Sequence, residues 1–354
     1  MIKRREAFFL KQSIMYCANT VYDIQYGIMD IQQLQLRAVC ANLIRKFFTE
    51  KNYLEVDVPC FSKDIIPESS IEVFKTLQTK LQSEQYYLLP SPELYIKKLL
   101  AKHTCSMFSL AHCFRAGENT GRIHNPEFTM LEYYTVDADY KDSLRITEAL
   151  FAFLCDALKE NPLFDTTAAE ILTTPFLCLS MNEAFIQYAD ISLAENTTRT
   201  QLLEKVRALG ISESSALEHY SYKDLYELVL VAVIEPALPK NKVVALMDYP
   251  LVSETLSKRK MSDGLEVTER WEIYVNGIEL ANCYTELQNA NAVKQFFEHE
   301  IQLRKNAGMS DIAAAKDFAS VCAELPNCSG VALGFERLLL VLSGSKSIEN
   351  FIIR

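Results

Sequence analysis

The stretch FRAGENTGRIHNPEFTMLEYY, residues 114–134, decides the fold, because it predicts two strands joined by a polar loop. The outgoing strand covers residues 106–115 and the returning strand residues 126–136. Side chains alternate across a strand, so one face of the returning strand carries Phe128, Met130, Glu132 and Tyr134. Those groups can line a site for a flat base beside a cationic ligand, and Arg115 offers a planar donor for phosphate or carboxylate. Any one of them would also fit an amphipathic hairpin, but the whole string favours a binding site.

A second stretch, GIELANCYTEL at residues 277–287, places two carboxylates and an amide in a mostly apolar strand. Burying such groups is costly unless a cation or hydrogen-bond donors compensate. Mg²⁺ would satisfy Glu279 and Glu286, and so would the ammonium group of a substrate. The two glutamates have opposite parity, so a β-bulge must separate them if both face one site. A salt-bridged edge strand is the alternative.

Two shorter stretches open helices. In GVALGFER, residues 330–337, small residues let a ligand approach the backbone, and Arg337 presents a fixed positive charge in the first helical turn. A glycine pair before a helix also occurs for packing alone. In SPELYIKK, residues 91–98, Glu93 follows Pro92 at a helix start, where an acid also complements the helix dipole.

The order of predicted elements indicates the fold class. Helical spacing predicts helices over 31–51, 93–101, 142–158, 293–305 and 335–342. Besides the hairpin, we expect strands over 85–89, 242–247, 271–275 and 278–287. Strands joined by long helical segments, without regular βαβ alternation, predict an α+β fold with an antiparallel sheet flanked by helices. We expect an N-terminal extension over 1–30 and one catalytic domain over 31–354, with a helical insertion at roughly 140–240.

Composition limits the function. The chain has 354 residues, is 49% hydrophobic and contains no run of about 18 uncharged apolar residues, so we expect no membrane span. Its ten cysteines form no C-x-x-C pair and its five histidines are dispersed, which argues against a zinc site or a disulfide framework. The basic start, residues 1–11, is too interrupted for a signal peptide, so we expect a cytoplasmic enzyme. A net charge of -10 provides no long-range attraction to nucleic acid.

The four stretches together resemble a known family. Residues 114–134 are similar to motif 2 of the class II aminoacyl-tRNA synthetases, and HNPEFTMLE resembles the lysyl subgroup in particular. GIELANCYTEL and SPELYIKK are similar to lysyl-type segments, and GVALGFER resembles motif 3. The resemblance covers about residues 31–354 and implies activation of a lysine-like amino acid with ATP and Mg²⁺. FRAGE replaces the commoner FRNE, so the motif 2 loop is one residue longer.

The resemblance implies roles for the matching residues. Arg115 would hold the α-phosphate and the amino-acid carboxylate, Arg337 would bind the γ-phosphate, and both would be catalytic. The other ATP contacts would be Glu118 at the adenine amino group, Phe128 stacked on adenine, Asn125, Glu279, Leu280 and Gly334. The amino acid would contact Ser91, Pro92, Glu93, Tyr134, Asn282, Glu286 and Ala332. Glu279 and Glu286 would bind Mg²⁺, and motif 1, around residues 55–59, implies a homodimer.

Two features refine the resemblance. Only some thirty residues precede the core, too few for the OB-fold anticodon domain of lysyl-tRNA synthetases, and Ala332 stands where those enzymes usually have glycine. The chain resembles their truncated paralogues, which attach (R)-β-lysine to a lysine side chain of translation elongation factor P; this argues against tRNA as a partner. The basic run at residues 257–260 is more like the full synthetases. The choice between lysine and (R)-β-lysine stays open. The alternatives are a minimal enzyme that charges tRNA or a small molecule with lysine, and a catalytically inactive regulatory paralogue.

Overall fold

The computed structural model describes residues 30–77, 84–118, 120–211, 214–253 and 255–353. The N-terminal extension predicted for residues 1–30 lies outside these ranges except for Asp30. That residue caps the first helix, because its side chain accepts a hydrogen bond from the backbone of Gln32.

A nine-stranded sheet forms the centre of the molecule. In spatial order its strands are β1 (Leu54–Glu55), β5 (Met107–Phe114), β6 (Glu127–Val136), β12 (Cys328–Gly334), β11 (Ile278–Thr285), β10 (Leu265–Val275), β8 (Val243–Pro250) and β7 (Leu177–Ser180), with β9 (Arg259–Ser262) paired to β10. All pairs are antiparallel except β1 with β5 and β7 with β8, at the two ends of the sheet. A small second sheet contains β2 (Phe61–Ser62), β4 (Gln85–Leu88) and β3 (Lys75–Leu77). The prediction of an α+β fold with a largely antiparallel sheet is therefore confirmed.

Helices flank the sheet. They are α1 (Ile31–Glu50), α2 (Glu93–His103), α3 (Tyr140–Leu158), α4 (Thr166–Thr173), α5 (Met181–Ala189), α6 (Arg199–Leu209), α7 (Ser214–Leu217), α8 (Tyr222–Val229), α9 (Glu235–Ala237), α10 (Ala290–Asn306), α11 (Phe318–Ala323) and α12 (Phe335–Leu342). A π-helical turn (Leu230–Ile234) and two 3₁₀ turns (Leu251–Ser253 and Ile348–Phe351) complete the elements. The range 140–240, predicted to be a helical insertion, also contains β7, which pairs with the main sheet.

The two faces of the main sheet have different neighbours. One face packs against α1, α3 and α12 in a large apolar core that includes Tyr133 and Trp271. The opposite face lies toward α2, α10 and α11, where Tyr134 belongs to a second apolar cluster. Because side chains alternate along β6, the candidate binding residues point to this second face. A third cluster joins β7 and β8 to α5, α6 and α8.

Candidate active site

The face of β6 that the sequence singled out lines two adjoining cavities. The larger has a volume of about 460 Å³ and the smaller about 90 Å³. Phe128 and Met130 border the larger cavity, while Met130, Glu132 and Tyr134 border the smaller. The period-2 prediction is confirmed, since these four side chains follow one another along one face of the strand.

A β-bulge in β11 brings carboxylates of opposite parity to this face. Ile273 pairs with Ala281 and Tyr274 pairs with Glu279, so Leu280 is the extra residue. Because of this bulge, Glu279 faces the same side of the sheet as Asn282 and Glu286, although their positions have the other parity. Glu279 borders the larger cavity, Glu286 borders the smaller one and Asn282 borders both. The bulge that the sequence required is present between the two glutamates.

Positively charged groups and an aromatic ring line the larger cavity. The Arg337 guanidinium donates from Nη1 to the backbone oxygen of Glu279 at 2.8 Å, and the same nitrogen lies 3.5 Å from the Glu279 carboxylate. The Arg115 guanidinium lies 5.2 Å from the centre of the Phe128 ring and 3.8 Å from the Glu118 carboxylate. Among the described residues, the buried Nε of Arg115 has no hydrogen-bond partner, so this side chain retains donor capacity for a ligand.

All residues predicted to contact ATP lie at the larger cavity. These are Arg115, Glu118, Asn125, Phe128, Glu279, Leu280, Gly334 and Arg337. The additional residue in the motif 2 loop does not remove Glu118 from the cavity, because Gly117 adopts a positive φ of 78° and turns the chain. The volume and the mixture of arginines, carboxylates and aromatic rings, among them the half-buried Phe128, suit a nucleotide.

The smaller cavity is acidic. Ser91, Glu93, Tyr134, Asn282, Glu286 and Ala332 line it, so six of the seven predicted amino-acid contacts meet there. Pro92 borders neither cavity; it is buried and precedes α2, where its carbonyl accepts from Tyr95 and Ile96. Asn282 is oriented by Arg270, whose Nε donates to the Asn282 Oδ1 at 3.2 Å. Four glutamates line this small space, Glu68, Glu93, Glu132 and Glu286, and they call for a cationic ligand.

Lys97 pairs with two of these glutamates, Glu93 and Glu286, and was not identified from the sequence. Its Nζ lies 2.5 Å from Glu93 Oε1 and 2.6 Å from Glu286 Oε2, and the side chain is 1% exposed. The ammonium group compensates part of the negative charge that the cavity buries. Its position four residues after Glu93 on the buried face of α2 was a signal for this contact.

Burial controls the protonation of the acidic groups. Desolvation raises the pKa of Glu286 to about 7, although Lys97 acts in the opposite direction. Burial also raises the pKa of Glu132 well above its usual range, with Glu93 adding to the effect, while a hydrogen bond from Tyr134 opposes it. Since a cationic ligand would favour the ionised forms, the protonation of the cavity depends on whether an amine occupies it.

The two predicted Mg²⁺ ligands are not brought together. Glu279 borders the larger cavity, whereas Glu286 borders the smaller one and contacts Lys97. In the described parts of the chain, no group of three or more His, Cys, Asp or Glu side chains could hold a metal ion. Glu279 alone still fits a Mg²⁺ ion held mainly by nucleotide phosphates, which needs only one or two carboxylates.

A loop formed by residues 68–72 contributes to both cavities: residues 68–71 line the larger one, and Glu68 also lines the smaller one. Arg304 of α10 donates to the backbone oxygens of Glu68, at 2.8 Å, and Ile71, at 2.5 Å. Glu300 of the same helix accepts from the Ser69 backbone at 2.5 Å. Sequence analysis missed this loop and its two supports, because no motif marks residues that meet only after folding.

Comparisons with known proteins agree with this geometry. A family model described as tRNA synthetases class II (D, K and N) matches residues 21–353. The chain belongs to this class II synthetase family, and it is an ATP-dependent ligase of that type.

Similar curated proteins are more specific. The protein named elongation factor P--(R)-beta-lysine ligase in Salmonella gallinarum is 32% identical over 326 residues, covering 91% of this chain and 94% of its own. Proteins of the same name in Salmonella typhi and Hamiltonella defensa are each 31% identical, over 91% and 90% of this chain and 94% of their own lengths. In the described part of the chain, no helix has the length and apolar character needed to cross a membrane.

Gly330 provides the first test of the smaller cavity. A Cβ at this position would lie less than 3.0 Å from both the Glu286 carboxylate and the Tyr134 ring. We expect Gly330→Ala to lower the free energy of unfolding by about 1–3 kcal/mol and to weaken amino-acid binding, because the added methyl group displaces two cavity walls. Thermal unfolding and amino-acid-dependent pyrophosphate exchange measure the two effects.

Gly334→Ala is the matched control for stability. Its Cβ would lie 3.5 Å from the nearest atom, the Cδ of Arg337, which is ordinary van der Waals contact. We expect this variant to unfold at nearly the wild-type temperature. Equal stability of the Gly330 and Gly334 variants would contradict the tight packing described for Gly330.

Glu286 provides a test of ligand charge. We expect Glu286→Gln to raise the KM for the amino acid by about 10- to 100-fold, because a hydrogen bond to a charged group contributes about 1.5–3 kcal/mol. The KM for ATP should change less than twofold, since Glu286 borders only the smaller cavity. Pyrophosphate exchange at varied concentrations of each substrate measures both constants. Equal increases in both would instead place Glu286 at the metal.

Proposed function

We propose that this chain activates (R)-β-lysine, or lysine, with ATP as an aminoacyl-adenylate and transfers it to a lysine side chain of translation elongation factor P. The observation that carries the proposal is the arrangement of the two cavities around Arg115. A nucleotide-sized cavity meets a small cavity lined by Glu93, Glu132 and Glu286, and Arg115 borders both. The names of the similar curated proteins support the acceptor.

The first step needs positioning and charge stabilisation rather than covalent catalysis. The amino-acid carboxylate attacks the α-phosphorus of ATP in line, and pyrophosphate leaves. Arg115 would orient the carboxylate beside the α-phosphate and stabilise the charge that develops there. Arg337 would hold the γ-phosphate, with its guanidinium fixed by the Glu279 backbone oxygen. Mg²⁺, held by Glu279 and phosphate oxygens, would supply further positive charge.

The acidic cavity would select the substrate. A lysine-like amino acid carries two ammonium groups and one carboxylate at neutral pH. With Arg115 engaged by the carboxylate, the ammonium groups would meet Glu93, Glu132 and Glu286. The Tyr134 hydroxyl would add a polar contact. It donates to Glu132 at 3.0 Å, so its oxygen can accept a hydrogen bond from an ammonium group beside that carboxylate. Ala332 borders both cavities, where its Cβ would restrict how the backbone of the amino acid lies.

The mass of elongation factor P tests the acceptor. The factor is incubated with the enzyme, ATP and Mg²⁺, in separate reactions with (R)-β-lysine and with lysine, which have the same mass. We expect a gain of one lysyl residue, with a tRNA sample under the same conditions remaining uncharged. Charged tRNA and an unmodified factor would instead favour a minimal lysyl-tRNA synthetase. An absence of pyrophosphate exchange would favour an inactive paralogue.

We also propose that the enzyme is a homodimer. Apolar side chains of α1, β1 and β2 are exposed on the single chain: Val39, Leu54 and Phe61 are 40%, 53% and 53% exposed. A second copy could cover them. Light scattering should give twice the chain mass, and Leu54→Glu with Phe61→Glu should reduce it to that of one chain. A monomeric wild-type enzyme would contradict this proposal.

A further inference from the structure

Glu68 lies where the two cavities meet. Six residues border both cavities: Glu68, Arg115, Met130, Asn282, Tyr284 and Ala332. If Arg115 holds the carboxylate and the α-phosphate, the carbonyl carbon of the mixed anhydride lies at this junction. Glu68 is the only carboxylate in that shared set, and it belongs to the loop over residues 68–72 that α10 supports.

The second step of the reaction needs a proton acceptor at the junction. A lysine side chain is protonated at neutral pH, and only its neutral amine can attack a carbonyl carbon. Most candidate bases are already engaged: Glu93 and Glu286 contact Lys97, and Glu132 accepts from Tyr134. On the nucleotide side, Glu118 and Glu279 lie beside arginines, and His124 contacts Arg337.

Glu68 differs from these groups. Among the described residues, no hydrogen bond or ion pair engages its side chain, although its backbone oxygen is fixed by Arg304. The loop therefore holds the main chain in place and leaves the half-buried carboxylate free to face the junction. A general base requires this combination of fixed position and free lone pairs.

The surroundings of Glu68 tune its proton affinity. Burial raises the pKa of Glu68 to about 7, with further increases from Glu93 and Glu300, while Arg115 and Lys97 oppose them. These four groups belong to α2, α10 and the end of β5, the elements around the loop. A pKa near neutrality suits a base that must accept a proton and later release it.

We propose that Glu68 is the general base of the transfer step. Its carboxylate takes a proton from the acceptor ammonium group, and the resulting neutral amine attacks the carbonyl carbon of the aminoacyl-adenylate. A C–N bond forms, the bond from the carbonyl carbon to the phosphate oxygen breaks, and AMP leaves with the electron pair. The amide nitrogen loses its second proton to solvent. This proposal rests on the proposed function, because it assumes an amine acceptor.

Separating the two half-reactions tests the role. For Glu68→Gln, pyrophosphate exchange should remain within about twofold of wild type, while single-turnover transfer to elongation factor P falls about 100-fold, as for loss of a general base. Glu298→Gln is the matched control: Glu298 is exposed on α10 and borders neither cavity, so both rates should be unchanged. Equal losses in exchange and transfer would overturn the proposal in favour of substrate binding. Unchanged transfer would overturn it outright.

Two small nucleophiles replace elongation factor P in a second test. One of them needs no proton acceptor, so it also shows whether the variant is folded and forms the adenylate. Hydroxylamine is already neutral at pH 7, so it should react with the adenylate equally fast in wild type and Glu68→Gln. Nα-acetyl-lysine amide at high concentration needs deprotonation and should react more slowly in the variant. If wild type transfers to this small amine but not to elongation factor P, the proposed partner fails while the role of Glu68 is still tested. A variant that is slow with hydroxylamine as well would contradict the role.

The pH dependence of wild-type transfer provides a measurement without a variant. Transfer to the small amine should rise with pH and level off above about pH 7, where Glu68 is ionised. Without a protein base, the rate would instead keep rising toward the pKa of the amine itself, about 10.4. Parallel profiles for the two nucleophiles would contradict a general base at this position.

Discussion

Replacement of Arg115 with alanine is expected to lower the rate of adenylate formation by about 1,000-fold, since loss of one preorganised charge-stabilising donor typically costs about 100- to 1,000-fold. Arg115 is the one cationic side chain that borders both described cavities, so the effect should be at the upper end of that range. ATP-pyrophosphate exchange at saturating substrates measures it. The fold should persist, because the buried Nε of Arg115 has no hydrogen-bond partner among the described residues.

Arg145→Ala is the control for this variant. Arg145 lies on the exposed face of α3, and within the described ranges it pairs only with the nearby Asp142, so exchange should be unchanged. Substantial adenylate formation by a folded Arg115→Ala enzyme would contradict the catalytic role of Arg115. A variant that unfolds at a much lower temperature would show instead that Arg115 stabilises the motif 2 loop, which begins directly after β5.

The residues that the resemblance assigns to ATP lie in short, ordered strings of sequence, and the structure brings them to one cavity. Alternation along β6 placed Phe128 and Tyr134 on one face, and the parity of Glu279 and Glu286 required the bulge that the structure contains. These predictions depend only on local geometry, which the order of residues determines. The mainly antiparallel sheet followed from the same pattern of strands and long helical connections.

The residues that sequence analysis missed depend on contacts between distant segments. Glu68 becomes a candidate only because Arg304, more than two hundred residues later, fixes its backbone against the cavities. The assignment of Glu286 to Mg²⁺ had the same limitation. A carboxylate next to a mostly apolar strand suited a metal ion, but folding places Lys97 beside Glu286 and separates Glu286 from Glu279. Local patterns identify which groups need a partner, whereas tertiary packing decides which partner they receive.

Lys97 leads to the second large expected effect. Lys97→Met should raise the KM for the amino acid by about 100-fold, because the loss of a hydrogen-bonded charge partner in a buried site costs several kcal/mol. The KM for ATP should change little, since both ion-pair partners of Lys97, Glu93 and Glu286, border the smaller cavity and not the larger. Methionine approximates the length of the lysine stem, so packing against Phe318 is largely retained.

Lys98→Met is a closely matched control. Lys98 is the next residue on α2, but its side chain is 30% exposed and pairs with Asp317 at 2.9 Å on the surface. We expect both KM values of this variant to stay within about twofold of wild type, because a surface ion pair contributes at most about 1 kcal/mol. Equal effects of the two substitutions would indicate a general disturbance of α2.

The pH dependence distinguishes a charge role of Lys97 from a packing role. In wild type the pKa of Glu286 is about 7 while Lys97 lowers it, so the pKa must rise further when Lys97 is removed. Amino-acid affinity, which needs the ionised carboxylate, should therefore increase with pH in both enzymes, with its midpoint at higher pH in Lys97→Met. The midpoint is read from amino-acid KM values measured between about pH 6 and pH 9, a range around the usual reference values. Coincident midpoints would assign Lys97 a packing role only.

Unfolding experiments should show the same shift with the sign that linkage requires. A carboxyl whose pKa is higher in the folded than in the unfolded protein binds more protons when folded, so stability declines as pH rises toward the folded-state pKa. Glu286 already has this property in wild type, where the decline falls between its ordinary value of 4.5 and about 7. Because the folded-state pKa is higher in Lys97→Met, its decline should extend to higher pH. Ligand-free Lys97→Met should thus lose more stability than wild type between pH 6 and pH 8, whereas parallel profiles would mean that Lys97 does not control the charge of Glu286.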